Sequence, residues 1–202
     1  MITKPQSIGV AVVLAVSSLV AVTVHALEEG KDEKDKLKAC EASLCQLISK
    51  KGPTAGDFTC ALAKTWAKDK IKEGSASGRV SWAFGDARCK VDIKIPRAQI
   101  VEALKLTDYT LQLPEHVVSC EIEREKEITP VKLKLEPKIT FKDGRAKTAW
   151  INLKDVEGPS TMKGMAFTVA KLEDGLGLFH KGLIKAINEQ ITTKCAKLAA
   201  GG

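Results

Sequence analysis

PSTMKGMAFTVAKLEDGLGLFHKGLIKAINEQITTKCAKL, residues 159–198, decides how the rest of the chain must fold. Met162, Met165, Val169, Leu172, Leu176, Phe179, Leu183, Ile187, Ile191, Cys195 and Leu198 recur at steps of three or four residues. That spacing draws one apolar stripe along a helical surface, and such a stripe needs a partner surface to cover it. Gly175, Gly177 and Gly182 interrupt its middle and predict a kink there. Cys195 lies on the stripe near its end, placed to pin the helix to an earlier part of the chain.

The partner surface is legible upstream. From Arg79 the apolar period changes to two: Val80, Trp82 and Phe84, then Cys89, Val91, Ile93 and Ile95 after Gly85-Asp86. This predicts a hairpin with one buried and one wet face, stopped by Pro96. Ala98–Leu106 has the spacing of a short helix, and Tyr109–Leu113 returns to strand. Val118, Cys120 and Ile122 alternate with Ser119, Glu121 and Glu123. The clearest hairpin signal is Val131–Val156, with Asp143-Gly144 at the turn. Pro137 places its outgoing strand at an edge or a bulge.

Two more helices are expected before the sheet. Leu37–Lys50 carries Leu37, Cys40, Leu44, Leu47 and Ile48 on one face, and Gly52-Pro53 ends it. A second helix is expected from Asp57, a good N-cap, to about Glu73, with Phe58, Leu62 and Trp66 along one side. Gly74–Gly78 then reads as a linker. The expectation is an α+β fold, a two-layer sandwich of an antiparallel sheet of about six strands. An N-terminal helical pair and a long C-terminal helix cover it.

The first residues read as an export signal. Lys4 supplies the positive start, Ile8–Val24 has no charge, and Ala26 ends the run with a small residue. The alternative is an uncleaved anchor, since the run approaches spanning length. Ser17, Ser18 and Thr23 dilute it and favour cleavage. The expected organisation is a signal peptide over 1–26 and a single disulfide-stabilised domain over 27–202, in a periplasmic or secreted location.

All six cysteines follow the leader: Cys40, Cys45, Cys60, Cys89, Cys120 and Cys195. An even count in an exported chain predicts three disulfides. Cys40 and Cys45 are five residues apart, so they point in different directions on a helix and need different partners. Strand parity pairs Cys89 with Cys120. Cys45 with Cys60 would staple the helical pair, and Cys40 with Cys195 would tie the first helix to the last. No Cys-X-X-Cys is present, and neither a metal nor another cofactor is expected.

The catalytic inventory is thin. His116 precedes Cys120 by four residues on the same strand parity, the one conceivable base–nucleophile pair. His180 stands beside Phe179 with no evident partner. Phosphate-loop, zinc-protease and serine-hydrolase motifs are absent from the sequence. The net charge is +7, but aromatics are few and export argues against nucleic acid.

One candidate surface remains. Lys90, Lys94, Lys132, Lys134, Lys138 and Lys154 share the outward strand parity, with Trp150 among them. They read either as a platform for anionic lipid or another envelope component, or as lysines that solvate a sheet and block its edges.

Phe84-Gly85-Asp86-Ala87-Arg88-Cys89 and Trp150-Ile151-Asn152-Leu153-Lys154-Asp155-Val156-Glu157-Gly158 resemble stretches of a family of small exported alphaproteobacterial proteins to which no activity is attached. The resemblance implies a periplasmic or secreted home and transfers no active site. The helix-against-sheet plan is also loosely similar to tubular lipid-binding domains, in topology alone. The leading expectation is an exported, non-enzymatic binding module with an amphipathic or anionic, lipid-like ligand. That ligand would sit on the basic face or in a groove under the long helix. The alternatives are a structural protein docking an acidic partner, and an enzyme using a cysteine or histidine.

Overall fold

The computed structural model describes residues 27–50, 54–74, 81–125, 127–176 and 180–200. The expected leader lies outside them, as does most of the Gly74–Gly78 linker.

Helix α1, Lys31–Lys50, carries Asp32 and Glu33 in its first turn, where carboxylates favour the positive end of the helix dipole. Its apolar face buries Leu47 against Phe58, Ile100 and Val101. The next element is a strand rather than the expected second helix: β1, Asp57–Trp66. The reason is arithmetic. Phe58, Leu62 and Trp66 are four apart, which puts them on one side of a helix and equally on one side of a strand. In the strand Cys60 joins Phe58 on the buried side, and β-branched Thr59 and Thr65 suit extended backbone. Helix remains only in the short α2, Lys68–Gly74.

β1 pairs along its whole length with β2, Ala87–Pro96, and β2 pairs on its other side with β4, His116–Arg124. β2 therefore has both neighbours, and the hairpin expected from Val80–Phe84 does not form at 81–84. Trp82 and Phe84 meet there edge to face, 5.1 Å between centroids, and pack onto the core. Helix α3, Arg97–Lys105, and strand β3, Asp108–Gln112, stand where the periodicity puts them.

The hairpin expected over 131–156 forms, but it serves two sheets. Its arms are β5, Glu127–Leu135, and β6, Lys138–Lys142, then β7, Arg145–Trp150, and β8, Leu153–Glu157. β5 and β8 complete a five-stranded antiparallel sheet of order β1-β2-β4-β5-β8; β6 and β7 join β3 in a three-stranded sheet. Among the described residues the expected single sheet of about six strands is thus two sheets, of five and three strands. The arms switch sheets together at Glu136-Pro137 and Ile151-Asn152. Pro137 lacks an N–H for a ladder, and Asn152 takes a left-handed φ of 50°. The Glu136 N–H donates to Asn152 O, and the Asn152 amide returns a bond to Glu136 O at 2.9 Å.

The C-terminal stripe is helical over α4, Ser160–Leu176, and α5, His180–Glu189, then through a π-helical turn, Gln190–Lys194, into α6, Cys195–Ala200. The expected single long helix is not shown as one element: α4 and α5 are described separately, and Gly177 of the expected kink and Phe179 of the stripe lie outside the described residues. α4 buries Met162 on β4, β5 and β8. α5 and the π turn bring Ile184, Ile187 and Ile191 onto β3, β6 and β7.

Three disulfides join these parts: Cys40–Cys60, Cys45–Cys195 and Cys89–Cys120. The strand-parity pair is as expected, and Cys40 and Cys45 do bond to different partners. The other two assignments are corrected. With Cys60 on a strand under α1, Cys40 faces it, and Cys45 faces the last helix. Three bridges fit an oxidising compartment. Among the described residues no helix is long and apolar enough to cross a membrane.

Two outcomes follow from this framework. Non-reducing peptide mapping should recover those three pairs, and replacing Cys45 and Cys195 together by serine should cost about 2–5 kcal/mol in denaturant unfolding. Gly144 has φ +70° at the β6–β7 turn, and a Cβ there would lie 2.9 Å from the Leu104 carbonyl oxygen. Gly144→Ala should therefore lose at least about 1–2 kcal/mol, read from the shift in urea midpoint.

Candidate functional site

The seven residues of the expected basic platform are divided between the two sheets. Lys90, Lys94, Lys132, Lys134 and Lys154 belong to the five-stranded sheet, whereas Lys138 and Trp150 face each other across β6 and β7 of the other sheet. Carboxylates neutralise most of them. Lys94 Nζ lies 3.1 Å from Asp57, and Lys154 Nζ 3.0 Å from Glu136. Lys134 Nζ lies 3.3 Å from Asp155 and 3.5 Å from Glu157, with Lys132 3.8 Å from the same Glu157. The Asp155 pairing holds the Lys134 ammonium above its ordinary pKa. Asp155 is held below the usual range by the Val156 N–H and then by Lys134. The Lys138 ammonium sits over the Trp150 ring at 5.8 Å, and His180 meets the same ring edge to face. Alternating charge in sequence has become ion pairing across strands.

His116 and Cys120 form no base–nucleophile pair. Cys120 is bonded to Cys89, and no cysteine is free. His116 is buried, and its ring does structural work at the end of the β2–β4 ladder. Nε2 accepts the Lys94 N–H at 3.2 Å, and Nδ1 stands 2.7 Å from Pro114 O. Both contacts are satisfied together by the tautomer protonated at Nδ1. Among the described residues, no group of three or more His, Cys, Asp or Glu side chains is placed to hold a metal ion.

Glu33 is the buried carboxylate that sequence reading missed; it sits in an otherwise charged helix start. It accepts the Thr65 N–H at 2.9 Å and the Thr65 hydroxyl at 2.7 Å on the open edge of β1, with Arg88 Nε at 3.3 Å. Arg88 in turn donates to Thr65 Oγ1 and to Glu28 O. Burial pushes the Glu33 pKa up. Hydrogen bonds from the Thr65 hydroxyl and from the Gly30 and Thr65 backbone, with the Arg88 charge, outweigh it and hold the group below its ordinary value. The carboxylate caps the open edge of β1. A depression of about 560 Å³ lies beside it, part apolar through Leu62, Val91 and Val117 and rimmed by Asp32, Lys36, Lys90 and Asp92, with both signs of charge mixed.

A different kind of space lies under α5. A cavity of about 510 Å³ opens between α1, the five-stranded sheet, α3, the three-stranded sheet and α5. α1 gives Leu44 and Ile48, the first sheet Phe58, Ile93 and Ile95, and the second Leu111, Ile139 and Phe141. Ile187 and Ile191 close the last side. Among the described residues only Glu41 and Gln190 bring charged or amide groups to the lining, and both have partners. Glu41 accepts from Lys194 Nζ at 2.7 Å, and the Gln190 amide donates to the sulfurs of Cys45 and Cys195. Leu37 and Leu183 also line it, and both are exposed large apolar side chains, 42% and 37% accessible. The space falls in the roughly 300–1,000 Å³ range of small-molecule sites. Its chemistry offers dispersion and water exclusion, without polar specificity.

No protein-family model matches this chain, and no curated protein or solved structure matches it.

Glu33 generates a pH prediction. Its folded pKa is below the unfolded one, so its stabilisation is complete above the ordinary carboxylate range. It is lost as pH falls through the lowered folded value. At neutral pH Glu33→Gln should cost about 1.5–3 kcal/mol, because hydrogen bonds to a charged acceptor are replaced by weaker ones. Urea unfolding of both proteins across an acid series should show the gap between them narrowing as pH drops.

Proposed function

We propose that this chain is an exported, non-enzymatic binding module of the cell envelope whose ligand is amphipathic and lipid-like. The apolar part of the ligand occupies the cavity between α1, α3, α5 and the two sheets. The observation that carries this reading is the lining itself: a 510 Å³ space walled by aliphatic and aromatic side chains, with Leu37 and Leu183 exposed at its boundary. An apolar chain entering it leaves water at about 0.8 kcal/mol per methylene, which needs no directional contact. The ion pairs along the sheet favour the cavity over the lysine face as the ligand's seat, since paired surface charges offer little net attraction. The three disulfides and the resemblance to small exported proteins support an envelope or secreted setting.

Native mass spectrometry of the purified chain should show co-purified lipid. The uncharged fluorophore phenylnaphthylamine should brighten on binding and be displaced by a long-chain alcohol. Ile187→Trp fills the cavity; displacing two or three methylenes' worth of contact at about 0.8 kcal/mol each should weaken binding about tenfold to a hundredfold. Circular dichroism checks that this variant is folded. Lys132→Glu, Lys134→Glu and Lys138→Glu together should leave probe binding unchanged. A folded Ile187→Trp protein that binds as tightly as wild type would remove the cavity from the account.

A further inference from the structure

A second space of about 340 Å³ adjoins the apolar cavity, and the two share Ile48, Ile100, Leu104 and Ile191 as common lining. Its far side is different in kind. There the last turn of α3 brings Lys105, the β6–β7 turn brings Asp143, Gly144 and Arg145, and the π turn brings Thr192. The turn is held against α3: the Asp143 N–H donates to Thr107 O at 2.7 Å, and Gly144 abuts the Leu104 carbonyl. Lys105 and Arg145 are thereby placed at the polar end of this space, opposite the apolar residues it shares with the cavity.

These two cations differ from Lys94, Lys132, Lys134 and Lys154, which are paired with carboxylates. Both are exposed, and neither has a carboxylate within ion-pair distance among the described residues. Asp143 is the one acid on the same rim, so the rim keeps a positive excess. The Thr192 hydroxyl donates to Asn188 O, 2.8 Å away, so its proton is committed and the donors that an acidic head would meet are Lys105 and Arg145. Arginine presents a planar fork of N–H donors suited to a carboxylate or phosphate, and lysine adds a point charge.

We infer that the joined cavities take a single-chain anionic amphiphile, with its acidic head at Lys105 and Arg145 and its chain running past Ile191 towards Leu37 and Leu183. This rests on the cavity-binding reading and adds the polarity and charge of the ligand. The head is a carboxylate or a phosphate monoester, which share the needed chemistry: acceptor oxygens carrying full negative charge. A cationic head meets repulsion at the rim, and a neutral head gains only the chain's burial.

The test is displacement of phenylnaphthylamine from the folded chain, below micelle-forming concentrations, by four ligands of one chain length: dodecanoate, dodecyl phosphate, dodecanol and dodecyltrimethylammonium. The two anions should displace the probe about tenfold better than dodecanol, as expected for two partly screened contacts, and the cation worse. The preference should shrink at high salt. The ratio of dodecanoate to dodecyl phosphate identifies which acid the rim prefers. Lys105→Gln with Arg145→Gln, both at exposed positions, should abolish the anion preference and leave dodecanol unchanged. Equal displacement by dodecanoate, dodecyl phosphate and dodecanol overturns the inference while leaving the cavity reading intact. So does a double variant that keeps the preference. If the probe does not bind and no ligand does by calorimetry, the cavity reading itself falls and this inference falls with it.

Discussion

Two cysteines on one helix govern how the layers of this protein meet. Cys40 and Cys45 lie five residues apart on α1, so their side chains diverge. One is bonded to β1 through Cys60 and the other to α6 through Cys195. The helix is therefore a covalent strut between the five-stranded sheet and the end of the chain. Both bonds are local to the apolar cavity: Cys40 lines it, and the Gln190 amide that lines it donates to the Cys45–Cys195 sulfurs. A strut fixed at both ends keeps α1 and the π turn in register around a space that side-chain packing does not fill.

The opposite wall depends on a bend. One long hairpin supplies the last two strands of the large sheet and two of the three strands of the small one. It turns where Pro137 interrupts one arm and Asn152 takes positive φ in the other. The Glu136–Asn152 hydrogen bonds hold the arms together through the turn. A straight hairpin would extend a single sheet and leave α5 lying on it. The bent one sets Ile139 and Phe141 across from Ile93 and Ile95, with α3 between the sheets, and the apolar cavity follows from that geometry.

Charge is handled by the same pairing. Lysines that alternate with apolar residues along β2, β5 and β8 meet acids on neighbouring strands, so the outer sheet face is nearly self-neutralised. Glu33 and Arg88 close the open edge of β1, where an unpaired strand would invite another chain. At the rim of the cavity system Lys105 and Arg145 stand without an acidic partner among the described residues.

Residue patterning was enough for the α+β class and for much of the local structure. Period-two runs at 89–95, 118–122 and 131–135 became strands, Asp143-Gly144 became a turn, and the spacing of Cys40 from Cys45 forbade their pairing. Each is a local rule, settled by backbone geometry within a few residues. The element at 57–66 escaped, because residues four apart align in both helix and strand and only pairing with β2 decides between them. The division of the 131–156 hairpin between two sheets escaped too. A proline says that a strand is interrupted, while the destination of the next strand depends on which edge is open. The stripe ending at Ile191 and Cys195 announced that it needed a partner, yet no periodicity states how completely the partner fills the space. Voids and unpaired rim charges are differences between distant surfaces, so they exist only once α1, α3, α5 and both sheets have met.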